Sequence, residues 1–303
     1  MAPETVVVRQ GNGLPYSRYL MAQSLTACGL GPERAYALAT LVQRRLEGRE
    51  LIAVGDLRGV VEAVLEDEEE GQAARRFRAW GRLDRLERPL VVVLAGTTGV
   101  GKSTLATMLA HRLGITRVIA SDVVRQVLRA YFPYEAMPLV HHSAFEAGRA
   151  VDPRTGDPDL LGFARQAEQV AAGVAGVVER ACLERTPLVL EGVHLVPGSL
   201  DRVLGGRCVP VQALVVVSDP DLHRGHFELR GAERPAARYL GRFEQIRKLQ
   251  GHLAERARTA GVPVIENERV DDALGRLMDL VLDVVGRVPT REGHDVRTEG
   301  ARP

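Results

Sequence analysis

The 303-residue sequence is 45% hydrophobic and 26% charged, the composition of a globular chain long enough for two domains. Its 40 Lys and Arg against 39 Asp and Glu leave a net charge of +1, which gives no support for bulk attraction to nucleic acid or to a membrane surface. Cys28, Cys182 and Cys208 are far apart and form no C-x-x-C, so neither a zinc ribbon nor a disulfide scaffold is indicated; Met1-Ala2-Pro3-Glu4 opens no leader peptide, no apolar run approaches a membrane span, and a cytoplasmic protein is expected.

Thr5 to Arg9 alternates as a short strand, and Gln10-Gly11-Asn12-Gly13 reads as a turn. Leu20, Met21, Leu25 and Ala27 predict a helix with Ser17 as its N-cap, ended by Gly29 and Gly31. Pro32 opens another, with Ala35, Leu38, Ala39, Val42 and Leu46 on one face. A third helix spans about 54–65, and the acidic run Glu66 to Glu70 reads as its solvated end. Residues 73–86 then lead to a boundary near 79–89. The expected division is residues 1–82, residues 88–288 and a disordered polar tail over 289–303.

The apolar run Leu90-Val91-Val92-Val93-Leu94-Ala95 ends in Gly96-Thr97-Thr98-Gly99-Val100-Gly101-Lys102-Ser103-Thr104, and a helix follows to Leu113. This is G-x-x-x-x-G-K-[ST] in its strand-to-helix context, the phosphate-binding loop. The glycines let the backbone turn tightly, so that N–H groups and the positive end of the helix dipole hold phosphate oxygens. Lys102 is expected at the β- and γ-phosphates of ATP, and the Ser103 hydroxyl on Mg²⁺.

Further strands are expected at 117–120, 188–190, 211–217 and 262–265, with helices at about 122–130, 160–184, 219–229, 235–260 and 271–285. Strands alternating with helices predict an α/β fold with a parallel sheet covered on both faces and ligands at the carboxyl ends of its strands. Asp122 follows one strand, where it can orient a substrate hydroxyl, accept its proton or hold a metal-bound water; an N-cap is the plainer alternative. Arg125 and Arg129, at one-turn intervals, share its face and suit a phosphorylated or carboxylated acceptor. Glu191 ends the next strand and is expected to support Mg²⁺, while His194 either contacts the acceptor or packs. Residues 223–239 are rich in basic side chains and read as a lid, with Arg224 and Arg230 as main candidates, Arg234 and Arg238 behind them, and an exposed helix with ordinary ion pairs such as Arg242–Glu244–Arg247 as the alternative. His141-His142 completes no metal spacing and reads as part of an acceptor-binding insert.

The first segment resembles the ATP-cone, a small helical nucleotide-sensing module, through Val6-Val7-Val8-Arg9-Gln10-Gly11-Asn12-Gly13, Pro15-Tyr16-Ser17-Arg18 and the Ala35–Val42 stripe. That resemblance implies a regulatory nucleotide with Arg9 and Arg18 near its phosphates; a helical cap that binds nothing is the other reading. Residues 90–285 resemble 2-phosphoglycerate kinase, a P-loop kinase family, through the loop, residues 120–129, Leu190-Glu191-Gly192-Val193-His194-Leu195-Val196-Pro197-Gly198, His223-Arg224-Gly225-His226-Phe227 and residues 238–247. The resemblance implies a P-loop NTPase sheet flanked by helices and Mg²⁺-ATP-dependent phosphorylation of the 3-hydroxyl of 2-phosphoglycerate, giving 2,3-bisphosphoglycerate and ADP. The alternatives are the same chemistry on another small phosphorylated or carboxylated alcohol, or a nucleotide-sensing regulator without turnover. A small-molecule substrate, and neither nucleic acid nor membrane, is the expected partner.

Overall fold

The computed structural model describes residues 5–9, 12–154, 156–229 and 236–289. Residues 290–303, most of the expected tail, lie outside the described residues. The chain divides into two compact units, residues 1–87 with 282–303 and residues 88–281.

In the first unit, β1 (Val6–Arg9) pairs antiparallel with β2 (Asn12–Pro15). Asn12 and Gly13, expected in a turn, are strand residues because pairing to Arg9 and Val8 overrides their weak strand propensity. Ser17 caps α1 (Arg18–Ala27) by accepting a hydrogen bond from the Leu20 N–H. Pro32 begins α2 (Pro32–Leu46), where its missing N–H needs no partner. β3 (Leu51–Ala53) pairs parallel to β1 and is too short to leave a periodic signal. Two more helices, α3 (Val54–Asp67) and α4 (Gly71–Trp80), follow. Ala35, Leu38, Ala39, Val42 and Leu46 are all buried and pack with Leu25, Val61, Leu65 and Phe77 in one core.

The second unit begins with β4 (Leu90–Ala95), buried along its whole length. It continues through α5 (Lys102–Leu113), β5 (Val118–Ala120), α6 (Ser121–Tyr131) and two 3-10 turns, Pro138–His141 and Ala144–Ala150. Then come α7 (Pro158–Leu183), β6 (Leu188–Gly192), α8 (Asp201–Leu204), β7 (Val209–Val216) and α9 (Pro220–Leu229). The last elements are α10 (Ala236–Leu240), α11 (Phe243–Ala260), β8 (Val264–Glu266) and α12 (Val270–Arg287). The single helix expected over 235–260 is two, broken at Gly241 and Arg242. Glycine costs about 1 kcal/mol inside a helix, and the break lets Phe243 enter the core.

The sheet is wholly parallel, in the order β5-β6-β4-β7-β8. Register does the positioning. Leu94 pairs with Glu191, Ala95 with Gly192, and Ala120 with Glu191. The ends of β4, β5 and β6 are therefore level, and the residues just beyond them, at 96, 121 and 193, emerge at one edge. Among the described residues, no helix is long and apolar enough to cross a membrane.

Candidate active site

The loop after β4 needs glycine where the backbone turns left-handed and its neighbours press close. Gly99 has φ +91°, and a Cβ there would lie 2.4 Å from the Phe227 ring. Gly101 has φ +81° and caps α5; a Cβ on it would lie 2.3 Å from Nδ2 of Asn267. Asn267, at the end of β8, donates from that nitrogen to the Val100 carbonyl at 2.9 Å. No motif marks it, so sequence reasoning missed it.

Beside the loop stand the three side chains expected there. Ser103 Oγ donates to Glu191 Oε1 at 3.0 Å, and Lys102 Nζ lies 3.6 Å from Glu191 Oε2. Glu191 is only 7% exposed, and its Oε2, like Thr97 Oγ1, is buried without a hydrogen-bond partner among the described residues. Burying such atoms is costly unless a ligand completes them. One hydroxyl and one carboxylate side by side suit Mg²⁺, which keeps waters and phosphate oxygens as its other ligands. Lys102 beside them suits a phosphate.

Asp122 faces a cavity of about 600 Å³ lined also by Thr98, Arg125, Phe145, Arg238 and Tyr239. It is not an N-cap: α6 begins at Ser121 with Ala120 as the cap residue, which leaves Asp122 in the first turn. Its side chain is 58% exposed, while that of Arg125 beside it is only 10% exposed. Burial pushes the Asp122 carboxyl up, but His194 where it is protonated, and the permanent Arg125 and Lys102 cations, push it further down, so it sits below its ordinary value. Arg125 donates from Nε to Asp122 at 3.2 Å and from Nη1 to the carbonyls of Val140 and His142, at 2.9 and 3.2 Å. It thus holds both the carboxylate and the 138–142 turn. Arg129 lies exposed on the same helix.

His194 is buried, with both ring nitrogens engaged. Gln166 donates its amide N–H groups to the carbonyls of Leu139 and His142, at 2.5 and 3.0 Å, which turns its oxygen toward His194 Nε2 at 3.1 Å. His194 therefore carries its proton on Nε2, and Nδ1 accepts from the Ser121 hydroxyl at 2.9 Å. Burial pushes the imidazole down to about 4, against the pull of Asp122. Of the two readings left open for His194, packing within a polar chain is what the structure holds. Gln166, the hub of that chain, carries no sequence signal.

The stretch expected to be a lid begins on α9, packed against the phosphate loop. On α9, His223 Nε2 donates to the Thr98 carbonyl and His226 Nδ1 to the Gly99 carbonyl, each at 2.9 Å. His223 stacks on Phe227 at 5.3 Å between centroids, and burial holds its imidazole below the usual value. Two histidines three residues apart share a helix face, a signal that was present in the sequence. Arg224 lies elsewhere: it is 3.0 Å from Asp221 and 4.4 Å over the Phe243 ring. Arg230 and Arg234 lie outside the described residues. Arg247, which the alternative reading placed in ordinary surface pairs, donates to the carbonyls of Val217 and Ser218 at 2.6 and 2.8 Å and secures the end of β7.

In the first unit, a cavity of about 440 Å³ is lined by residues such as Val7, Leu14, Tyr16, Met21 and Leu57, none of its lining residues being charged. The Arg18 guanidinium lies 5.7 Å over the Tyr36 ring; the Arg9 side chain lies outside the described residues.

No protein-family model matches the chain. Among curated proteins, it is 34% identical over 276 residues to 2-phosphoglycerate kinase of Methanopyrus kandleri, covering 88% of this chain and 84% of that protein. It is 33% identical to the 2-phosphoglycerate kinase of Pyrococcus furiosus, covering 97% of this chain and 98% of that one, and 36% identical to that of Thermococcus kodakarensis, covering 88% and 92%. Among solved structures, shikimate kinase from Acinetobacter baumannii in complex with shikimate aligns with a TM-score of 0.39 at 16% identity, over 65% of this chain and 94% of that one. A gluconokinase from Sinorhizobium meliloti aligns with a TM-score of 0.35 at 15% identity, over 66% and 93%.

Proposed function

The chain belongs to the 2-phosphoglycerate kinase family, and on that footing we propose that it transfers the γ-phosphoryl group of ATP to the 3-hydroxyl of 2-phosphoglycerate in the cytoplasm, releasing ADP and 2,3-bisphosphoglycerate. The observation that carries the reading is a juxtaposition. Lys102, Ser103 and Glu191 form one group at the phosphate loop, and Asp122 and Arg125 face a cavity that also reaches loop residue Thr98.

The roles follow from the chemistry. The loop 96–104 wraps the phosphates with backbone N–H groups, and Lys102 balances the charge on the β- and γ-oxygens. Ser103 and Glu191 would hold Mg²⁺, which supplies Lewis-acid charge at those oxygens when bound. Asp122 accepts a hydrogen bond from the acceptor hydroxyl and takes its proton as the new O–P bond forms and the bond to the ADP oxygen breaks. Its lowered carboxyl makes it an orienter more than a strong base, which suits a loose phosphoryl transition state that demands little deprotonation beforehand. Arg125 fixes Asp122 and adds positive charge beside it. Arg224 and Arg230 are assigned to lid closure over the transferring group, which requires Arg224 to leave Phe243. Intact Lys102, Ser103, Asp122 and Glu191 favour turnover over mere sensing, and the first unit is assigned nucleotide sensing as a separate role.

ADP release measured with 2-phosphoglycerate, 3-phosphoglycerate, glycerate and simple sugar acids tests this. The expected result is acceptor-dependent turnover with 2-phosphoglycerate preferred. ADP release that ignores the acceptor, or none at all, would overturn it.

A further inference from the structure

The cavity that Asp122 faces is also lined by a cluster that the phosphate chemistry does not use. Arg238, on α10, lines the cavity with Ser143, Phe145 and Tyr239. Its Nη2 donates to Ser143 Oγ and to Glu146 Oε2, both at 2.6 Å, and its guanidinium lies 5.9 Å over the Phe145 ring. Glu146 is itself only 11% exposed and has two further arginines beside it, Arg149 at 3.3 Å and Arg242 at 4.0 Å. Burial pushes the Glu146 carboxyl up, but the Arg238 hydrogen bond and the surrounding cations hold it down and charged.

One carboxylate thus serves three guanidinium groups, and the cluster carries excess positive charge. Of the three arginines, Arg238 is the one on the cavity wall. The bonds to Ser143 and Glu146 both engage Nη2, and among the described residues Nε and Nη1 have no partner. An arginine held by one nitrogen, with the rest of its planar fork open, is preset for a two-oxygen anion.

We infer that Arg238 binds the anionic group of the acceptor remote from its reacting hydroxyl, phosphate or carboxylate, and that Glu146 is the positioning residue that aims it. This rests on the cavity being the acceptor site of the kinase reading. With the hydroxyl at Asp122, the charge at the far end of a small acid meets Arg238. The lid role assigned to Arg238 from basic density alone gives way to acceptor recognition.

The test uses the full chain with Arg238→Gln, Arg238→Lys and Glu146→Gln, and three acceptors: 2-phosphoglycerate, glycerol 2-phosphate, which lacks the carboxylate, and glycerate, which lacks the phosphate. Arg238→Gln is expected to raise KM for 2-phosphoglycerate about 30- to 100-fold, as lost charge-assisted bonds do, with KM for ATP changed less than about twofold. Arg238→Lys, which keeps charge but not the fork, falls between. Glu146→Gln keeps its shape and raises acceptor KM about fivefold to tenfold. If the fork grips phosphate, the Arg238→Gln penalty persists with glycerol 2-phosphate and vanishes with glycerate; the reverse pattern assigns it to the carboxylate.

An equal penalty on all three acceptors, a rise in KM for ATP instead, or no penalty would overturn the inference. Calorimetric binding of 2-phosphoglycerate without ATP separates it from the kinase reading. Binding that Arg238→Gln weakens, in a wild-type protein that does not turn over, keeps the inference and sinks the kinase reading. Turnover with binding that is indifferent to Arg238 does the opposite, and no binding by the wild type sinks both.

Discussion

The phosphate loop and the cavity that Asp122 faces share one sheet edge and are built in opposite ways. The loop is a contiguous run, residues 96–104, between β4 and α5. The cavity is assembled from α6, residues 143–145, Val193 and α10, with Thr98 as its meeting point with the loop. Chemistry carried by a contiguous run is fixed by local sequence and is the same for any acceptor. Recognition by a cavity of this kind depends on packing between distant segments, and its variants should discriminate among acceptors.

The largest effect tests the first half of that contrast. Lys102→Ala is expected to lower kcat about a thousandfold, the scale of removing one preorganised donor from a transition state. The factor should be the same for every acceptor the enzyme uses, measured as ADP release. A factor that changed with the acceptor would break the contrast.

Asp122 stands between the two regions. Asp122→Asn keeps the shape and removes the proton acceptor, and a kcat loss of about 10²- to 10³-fold is expected, with KM for ATP unchanged. The pH dependence sharpens this. If Asp122 acts as the ionised carboxylate, its contribution is expected to fade only as pH falls through its lowered value. The kcat profile should therefore be free of an acid limb from Asp122 between about pH 5 and 8. A limb there that Asp122→Asn abolishes would contradict the charge balance drawn around it.

The same contrast decides what could be read from the chain. The loop, the strand before it and the acidic end of β6 were legible because each is a local pattern. A six-residue buried strand, Leu90–Ala95, leads to glycines at fixed spacing, and an apolar run stops at Glu191. Asp122 followed from a strand end and a helix start. What stayed hidden needed contacts across the sequence. Gln166 joins His194 to a turn 24 residues before it, and Asn267 meets a loop 167 residues away. β2 and β3 were illegible for a different reason: Asn12-Gly13 reads as a turn and Leu51–Ala53 runs straight into a helix, so each is a strand through its pairing with β1.

His194 carries the buried Ser121–His194–Gln166 chain into a stability measurement. It is neutral in the fold, down at about 4 against 6.5 when free. Between those values the unfolded chain binds more protons than the folded one, so stability is full above about pH 6.5 and is lost as pH falls toward about 4. The loss attributable to this one group is roughly 3 kcal/mol. Urea melts at pH 7 and pH 4 read it directly: His194→Gln should be the less stable protein at pH 7 and should lose roughly 3 kcal/mol less on acidification than the wild type. Equal losses would mean that the imidazole charges inside the fold and that the Ser121–His194–Gln166 chain does not hold it neutral.

The smallest effect probes the loop through the helix that clamps it. His226 is half-buried on α9 and donates to the Gly99 carbonyl, beside His223 on the Thr98 carbonyl. A loop that must aim its N–H groups at phosphate leaves its carbonyls pointing outward, and each needs a donor there. His226→Leu removes one neutral hydrogen bond worth about 1 kcal/mol, so KM for ATP should rise about fivefold to tenfold. Acceptor KM should stay put, because the clamp acts on the contiguous loop rather than on the cavity wall. His226→Asn, which keeps a shorter donor, should recover part of the loss. If His226→Leu moved acceptor KM instead, α9 would belong to the cavity, and the separation between the two regions would fail at the residue chosen to define it.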